Sequence, residues 1–101
     1  MKGKNKMDDK KIIELEFDKT LSGLAGYDYG KDIYKKQVKN KIDFKQKTCI
    51  VFPNNIQRIA SSFVQGFFEE IIANAGISSV GNTIDIKCVN EELKQSIVDN
   101  L

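Results

Sequence analysis

The feature that most constrains the fold is the alternation of two hydrophobic periodicities along the chain. Three segments have the two-residue alternation or the continuous apolar character of strands, and three others repeat apolar residues at helical spacing. The strand segments are 11–17, 47–52 and 82–89, and the helical segments are 31–42, 63–75 and 91–101. The resulting order, β-α-β-α-β-α, favours largely parallel strands joined by right-handed crossovers.

The distribution of charge on the strands predicts how the helices cover the sheet. The run Cys49–Phe52 is apolar on both faces and stops at Pro53, as expected of a central strand. The outer strands instead place charges on one face, and these charges are Glu14, Glu16, Asp85 and Lys87. A sheet covered on both faces would have continuous apolar strands. We therefore expect a two-layer α/β sandwich with a mixed or mostly parallel sheet, with helices largely on one face. The open face should display Ile50 and Phe52 or their strand neighbours.

Local signals predict where the helices begin and end. Asp28 is a candidate N-cap for the first helix. Ser62 and Gln65 have the spacing of a capping box at the second helix, and Gly76 lies where a terminating glycine is expected.

Length and composition predict a single domain without catalytic machinery. The 101 residues suffice for one domain, which we assign to 11–101, after a flexible N-terminal segment 1–10. We find no apolar run of membrane-spanning length and no signal peptide, and expect a soluble, cytoplasmic protein. The chain contains no histidine, which removes the commonest general base and zinc ligand. Cys49 and Cys88 lie in apolar strand segments, where a reduced core thiol is expected. We predict no catalytic residue, metal or cofactor.

The lysines suggest one alternative function. Residues 1–58 hold fourteen basic and eight acidic residues, whereas residues 59–101 hold two and six. The stretch 31–47 alone carries seven lysines against two aspartates. Such a stretch occurs in nucleic-acid-associated accessory proteins, but it is more often the solvated face of a helix. We therefore predict that nucleic acid is not the partner. The lysines also lack the arginines and aromatics that would read bases.

A glycine-rich connection suggests a second alternative. The loop 23–30 lies between a predicted strand and a predicted helix, where glycines can let a nucleotide phosphate approach backbone N–H groups. Ala25 and Asp32 stand where a Walker motif needs glycine and serine or threonine, and the dinucleotide fingerprint has a different glycine spacing. A plain turn is therefore the favoured interpretation over a nucleotide-binding module.

A polar loop after the central strand is the candidate partner-binding site. Its four candidate residues are Asn54, Asn55, Gln57 and Arg58, and Arg58 is the only arginine of the chain. The rigid five-donor guanidinium suits recognition of phosphate or carboxylate groups.

The segment that follows carries a family resemblance. The run Ile59-Ala60-Ser61-Ser62-Phe63, the apolar helix after it and the closing strand Ile84–Asn90 resemble the STAS-like domain family. These bacterial proteins are related to anti-sigma-factor antagonists, and the resemblance covers roughly residues 26–99. It implies a STAS-like topology and a non-enzymatic protein–protein interaction module in bacterial regulation.

The resemblance also implies a regulatory device. In anti-sigma-factor antagonists, a serine at this place is phosphorylated by an ATP-dependent kinase-like partner, which switches binding. The matching positions hold both serines, Ser61 and Ser62, while Ala60 and Phe63 replace the acidic residue and the glycine of the family motif. Ser61 and Ser62 are therefore the candidate phosphoacceptors. We expect Ser61 to be the switch and Ser62 to cap the helix.

Overall fold

The computed structural model describes residues 10–101, and it contains five strands and three α-helices. A π-helical stretch, Tyr34–Val38, continues the first helix, and a short 3-10 helix, Ile77–Ser79, follows the second. The strands and α-helices are β1 (Lys11–Glu14), β2 (Gly23–Leu24), α1 (Tyr27–Ile33), β3 (Thr48–Val51), β4 (Arg58–Ile59), α2 (Ser61–Ala75), β5 (Ile84–Lys87) and α3 (Glu91–Asp99).

The strands form one three-stranded and one two-stranded sheet, both parallel. The main sheet has the order β1-β3-β5, with Ile13, Ile50 and Ile86 side by side in its register. The small sheet joins β2 to β4. The predicted parallel α/β fold with its central strand is confirmed. The two-residue strands β2 and β4 were not predicted, because so short a segment has no measurable periodicity.

The two faces of the main sheet differ as the charge pattern predicts. Ile13, Ile50 and Ile86 are all at most 3% exposed and belong to the core shared with the helices. The alternate residues point to the opposite face, where Ile12 is 60% exposed and Glu14 and Lys87 are exposed. Since strand neighbours alternate between faces, Cys49 and Val51 of β3 lie on the same side of the sheet as Ile12, where Cys49 is buried and Val51 is half-buried. Ile50 and Phe52 are buried beneath the helices.

Helices α1 and α2 cross at very short distance, and two glycines permit it. A Cβ atom added to Gly66 would overlap the carbonyl oxygen of Tyr27 on α1. A Cβ atom added to Gly30 would overlap the carbonyl oxygen of Phe63 and lie 2.7 Å from the backbone nitrogen of Phe67. Both glycines are buried, so the helix backbones themselves are in contact.

Beside this crossing, aromatic rings form the centre of the core. Phe67 on α2 is completely buried, and four other rings have their centroids within 6.1 Å of its own. These rings belong to Tyr34, Phe52, Phe63 and Phe68. The ring cluster therefore connects α2 to the π-helical stretch and to the end of the central strand.

Two of the predicted caps are wrong. Helix α1 begins at Tyr27 rather than near residue 31, and its N-cap is Gly26 with a φ of 108°, so Asp28 lies in the first turn. Helix α2 begins at Ser61 with Ala60 as N-cap, and no side chain caps it. The capping box of Ser62 fails because its hydroxyl bonds to another segment. Gly76 does end α2, with a φ of 87°.

One hydrophobic cluster runs from Ile13 on β1 to Ile97 on α3. The predicted flexible segment 1–10 lies outside the described residues apart from Lys10 and stays a prediction.

Candidate interaction site

The two candidate serines have different environments. Ser62 Oγ accepts a hydrogen bond of 2.9 Å from the backbone N–H of Gly26, which ties the start of α1 to the start of α2. Ser61 is the first residue of α2 and is exposed, and its hydroxyl makes no hydrogen bond within residues 10–101. The structural role predicted for Ser62 is therefore tertiary rather than helix capping, and the Ser61 hydroxyl is accessible.

The predicted polar loop, which runs into β4 at Arg58, contains one residue that supports the fold and three that face solvent. Asn55 Nδ2 donates a hydrogen bond of 2.7 Å to the carbonyl oxygen of Leu21, so this side chain fixes the neighbouring loop. Asn54, Gln57 and Arg58 are exposed. Of the four predicted partner-binding residues, Asn55 is thus occupied within the fold.

A groove of about 1000 Å³ adjoins this loop. One wall consists of residues 20–25 and 57–60, the small sheet with its flanking residues, and the other is the N-terminal part of α3. Gln57 and Arg58 line the groove, and Asn54 and Asn55 do not. Ala60, the N-cap directly before Ser61, also lines it. The groove therefore begins next to the accessible serine.

The α3 wall of the groove was missed by the sequence reasoning. Its polar residues are Asn90, Glu92 and Ser96. In the sequence they look like the solvated face of an amphipathic helix, and only the folded chain brings them into the groove that Arg58 also lines.

The lysine-rich segment lies against acidic residues of α2. Lys31 pairs with Glu69 at 3.5 Å and Lys39 with Glu70 at 3.7 Å, while Lys36 pairs with Asp32 on its own helix at 3.2 Å. The basic and acidic parts of the sequence thus partly neutralise each other within the fold. This arrangement favours the solvated-face interpretation over a nucleic-acid surface.

The glycines of the 23–30 segment serve the fold. Gly23 lies in β2, the N–H of Gly26 is bonded to Ser62, and Gly30 lies in the close crossing of α1 with α2. The 23–30 segment is thus not the plain turn expected from the sequence, because it contains β2 and the first turn of α1. Its glycines have structural roles in the strand and at the α1–α2 crossing.

The cysteines lack the surroundings of reactive thiols. Both are free, and burial raises the pKa of the Cys49 and Cys88 thiols above the ordinary value. Within residues 10–101, no three side chains among the cysteines and carboxylates are grouped so that they could hold a metal ion.

A tyrosine–glutamate pair joins α1 to α2 on the surface. The Tyr27 hydroxyl donates a hydrogen bond to Glu69 Oε1, and the Lys31 ammonium lies 5.7 Å from the centre of the Tyr27 ring. This hydrogen bond raises the pKa of the Tyr27 phenol and lowers the pKa of the Glu69 carboxyl, which the charge of Lys31 lowers further.

Tyr27→Phe should therefore destabilise the protein in a pH-dependent way. A lowered carboxyl pKa contributes stability at pH values above the pKa that Glu69 has in the unfolded chain. This stability is lost as the pH falls through the folded-state pKa of Glu69. A raised phenol pKa contributes stability that is lost as the pH rises through the folded pKa of Tyr27. The difference in unfolding free energy between wild type and variant should be largest near neutral pH and shrink on both sides. Urea titrations across pH measure it.

Tyr29→Phe is the matched control for this series, because no hydrogen bond among residues 10–101 involves the Tyr29 hydroxyl. A Tyr27→Phe effect that stayed constant with pH would show that the hydrogen bond between Tyr27 and Glu69 does not shift the pKa values of these two groups.

Comparison of the chain with protein-family models, with curated proteins and with solved structures finds no match. The resemblance to the STAS-like domain family therefore stays a prediction. Among the described helices, none has both the length and the apolar character needed to cross a bilayer.

Proposed function

We propose that the protein is a non-enzymatic protein–protein interaction module of bacterial regulation whose binding is switched by phosphorylation of Ser61. One observation carries this proposal: the hydroxyl of Ser61 is accessible at the start of a 15-residue helix, beside an open groove. The hydroxyl of the adjacent Ser62 accepts a hydrogen bond from the Gly26 N–H, so Ser62 has a structural role. The hydroxyl of Ser61 is available for modification.

Electrostatics makes a phosphate at this position both tolerable and effective. The N-terminus of a helix favours negative charge, and the first turn of α2 contains no acidic residue that would repel a phosphate. A phosphate adds roughly −1.5 to −2 charges, enough to expel a partner that is bound in the groove beside Ser61. Arg58 would face the bound partner from the groove wall.

The partner class follows from the resemblance. An ATP-dependent kinase-like regulator would bind the groove and phosphorylate Ser61, and release would follow. A cytoplasmic location belongs to the same proposal and is supported by the two free cysteines, since thiols stay reduced in that compartment.

Serine variants test the switch. Ser61→Ala should leave stability unchanged, whereas Ser62→Ala should lower it by about 1 kcal/mol, because the Gly26 N–H loses its acceptor. Ser61→Asp should keep the fold but lose the partner that wild type and Ser61→Ala retain. Urea unfolding and affinity capture from the native cells measure the two properties, and mass spectrometry should locate phosphate on Ser61.

The groove is tested by photocrosslinking. A crosslinkable residue at Gln57, on the groove wall, should capture the same partner. The same residue at Val98, on α3 but outside the groove, should not. If Ser61→Asp binds like wild type and Ser61 carries no phosphate in cells, the switch is ruled out. Capture of the partner from position 98 but not from position 57 would show that the partner binds outside the groove.

A further inference from the structure

We propose that the protein forms a homodimer in which β1 pairs antiparallel with β1 of a second copy. This strand is an edge of the main sheet, with β3 on its inner side. The Lys11 N–H donates to the carbonyl oxygen of Lys47, just before β3, at 2.8 Å, and the Leu15 N–H donates to that of Val51 on β3 at 2.9 Å. Main-chain groups alternate in direction along a strand, so those of Ile12 and Glu14 point outward.

A side chain occupies the next outward position of this edge. The N–H of Glu16 donates to Gln37 Oε1 at 2.7 Å, and Gln37 Nε2 donates to the carbonyl oxygen of Glu16 at 2.8 Å. Gln37 thereby makes the two hydrogen bonds that a neighbouring strand would make. No hydrogen bond among residues 10–101 uses the outward main-chain groups of Ile12 or Glu14. The available edge is thus short and ends at a defined residue.

The side chains along this edge are complementary to themselves. Lys10, Ile12 and Glu14 share the open face, Lys10 and Glu14 are exposed, and Ile12 is the most exposed large apolar residue described, at 60%. A two-fold axis through Ile12, perpendicular to the sheet, sets the two Ile12 side chains opposite each other. The same axis sets Lys10 of each copy opposite Glu14 of the other, which gives two symmetric ion pairs.

The neighbouring registers are less favourable. An axis through Glu14 would place two carboxylates directly opposite each other. An axis through Ile13 would pair Lys10 with Glu16, whose main-chain groups are already bonded to Gln37. The register centred on Ile12 therefore combines free main-chain groups, an apolar contact and opposite charges.

The product is a continuous six-stranded sheet with the helices of both copies on one side. Because β1 has only four residues, we expect a weak dimer whose population depends on protein concentration. The second copy lies at the β1 edge, whereas the groove lies between the small sheet and α3. This inference therefore does not rest on the proposed function.

Charge reversal tests the register directly. Sedimentation equilibrium of the 101-residue chain over a range of concentrations should show a monomer–dimer equilibrium. Lys10→Glu and Glu14→Lys each place like charges opposite each other twice, so each should weaken the dimer by about tenfold or more. The double variant, Lys10→Glu with Glu14→Lys, restores both pairs in reversed order and should return the dissociation constant to near the wild-type value.

Ile12→Pro gives a second, independent test. Proline is tolerated on an edge strand where its missing N–H faces outward, so the monomer should keep its fold, as circular dichroism would show. The dimer should be lost with its central hydrogen bonds. A wild-type chain that is monomeric at all concentrations overturns the proposal. The outward side of β1 would then be available for pairing with a strand of another protein. Single reversals that bind like wild type, or a double variant that fails to recover while folded, also overturn it.

Discussion

Gly66→Ala should lower the stability of the protein by about 3 kcal/mol or more, or prevent it from folding. The added methyl group would occupy the position of the Tyr27 carbonyl oxygen, and the next atoms of that residue lie 2.8 and 3.1 Å away. These are backbone atoms, which cannot rotate aside as a flexible side chain would. Relief requires α1 to move away from α2, and that separates the packed faces of both helices.

The sign of this effect makes the test decisive. In the interior of a helix, replacing glycine by alanine normally stabilises by roughly 0.5–1 kcal/mol. Gln65→Ala, at the exposed neighbouring position, should leave stability nearly unchanged. Urea unfolding of the three proteins measures the contrast. A Gly66→Ala protein as stable as wild type would contradict the close crossing of α1 and α2.

Phe67→Ala should cost about 3–5 kcal/mol. This ring is fully buried and contacts four other rings, the nearest being that of Phe68 with a centroid distance of 4.9 Å. Truncation removes the apolar transfer energy and leaves a cavity between α2, the π-helical stretch and β3. Since small domains are stable by only about 5–15 kcal/mol, the variant should be close to unfolding.

Phe44→Ala is the control for the ring-cluster prediction, because Phe44 is 36% exposed and lies outside the core cluster. Its stability loss should be a small fraction of that for Phe67→Ala. Equal losses at the two positions, measured by urea unfolding, would show that the ring cluster is not the centre of the core.

The fold could be predicted from the sequence where the signal is local. Alternating charges on the outer strands located the open face of the sheet, and the apolar run ending at Pro53 located the central strand. The short strands β2 and β4 could not be predicted, because two residues carry no period and their pairing is decided by distant parts of the chain. The π-helical turns at Tyr34–Val38 likewise leave no distinct pattern in the sequence.

The candidate site could be predicted only in part, for the same reason. A serine pair at the start of an apolar helix can be recognised, but the roles of its members depend on Gly26, which is 36 residues away from Ser62. The capping-box pattern misassigned Ser62 because that pattern considers only neighbours within one turn. Arg58 and Gln57 were recognised by residue type, whereas the α3 residues that line the groove with them reach it only through the fold.

The all-parallel pairing described above has a consequence for how the chain folds. Paired residues in β1–β3, β3–β5 and β2–β4 are separated by 35 to 37 residues, so no two strands can meet through a tight hairpin. Each pairing closes a long loop before it gains any hydrogen bond, and such closure slows folding. Helix α2, the longest of the described helices, has local contacts and can begin to form before any loop is closed. While the loops are open, the apolar run of β3 is without both of its neighbours, and the newly made chain is then most exposed to aggregation.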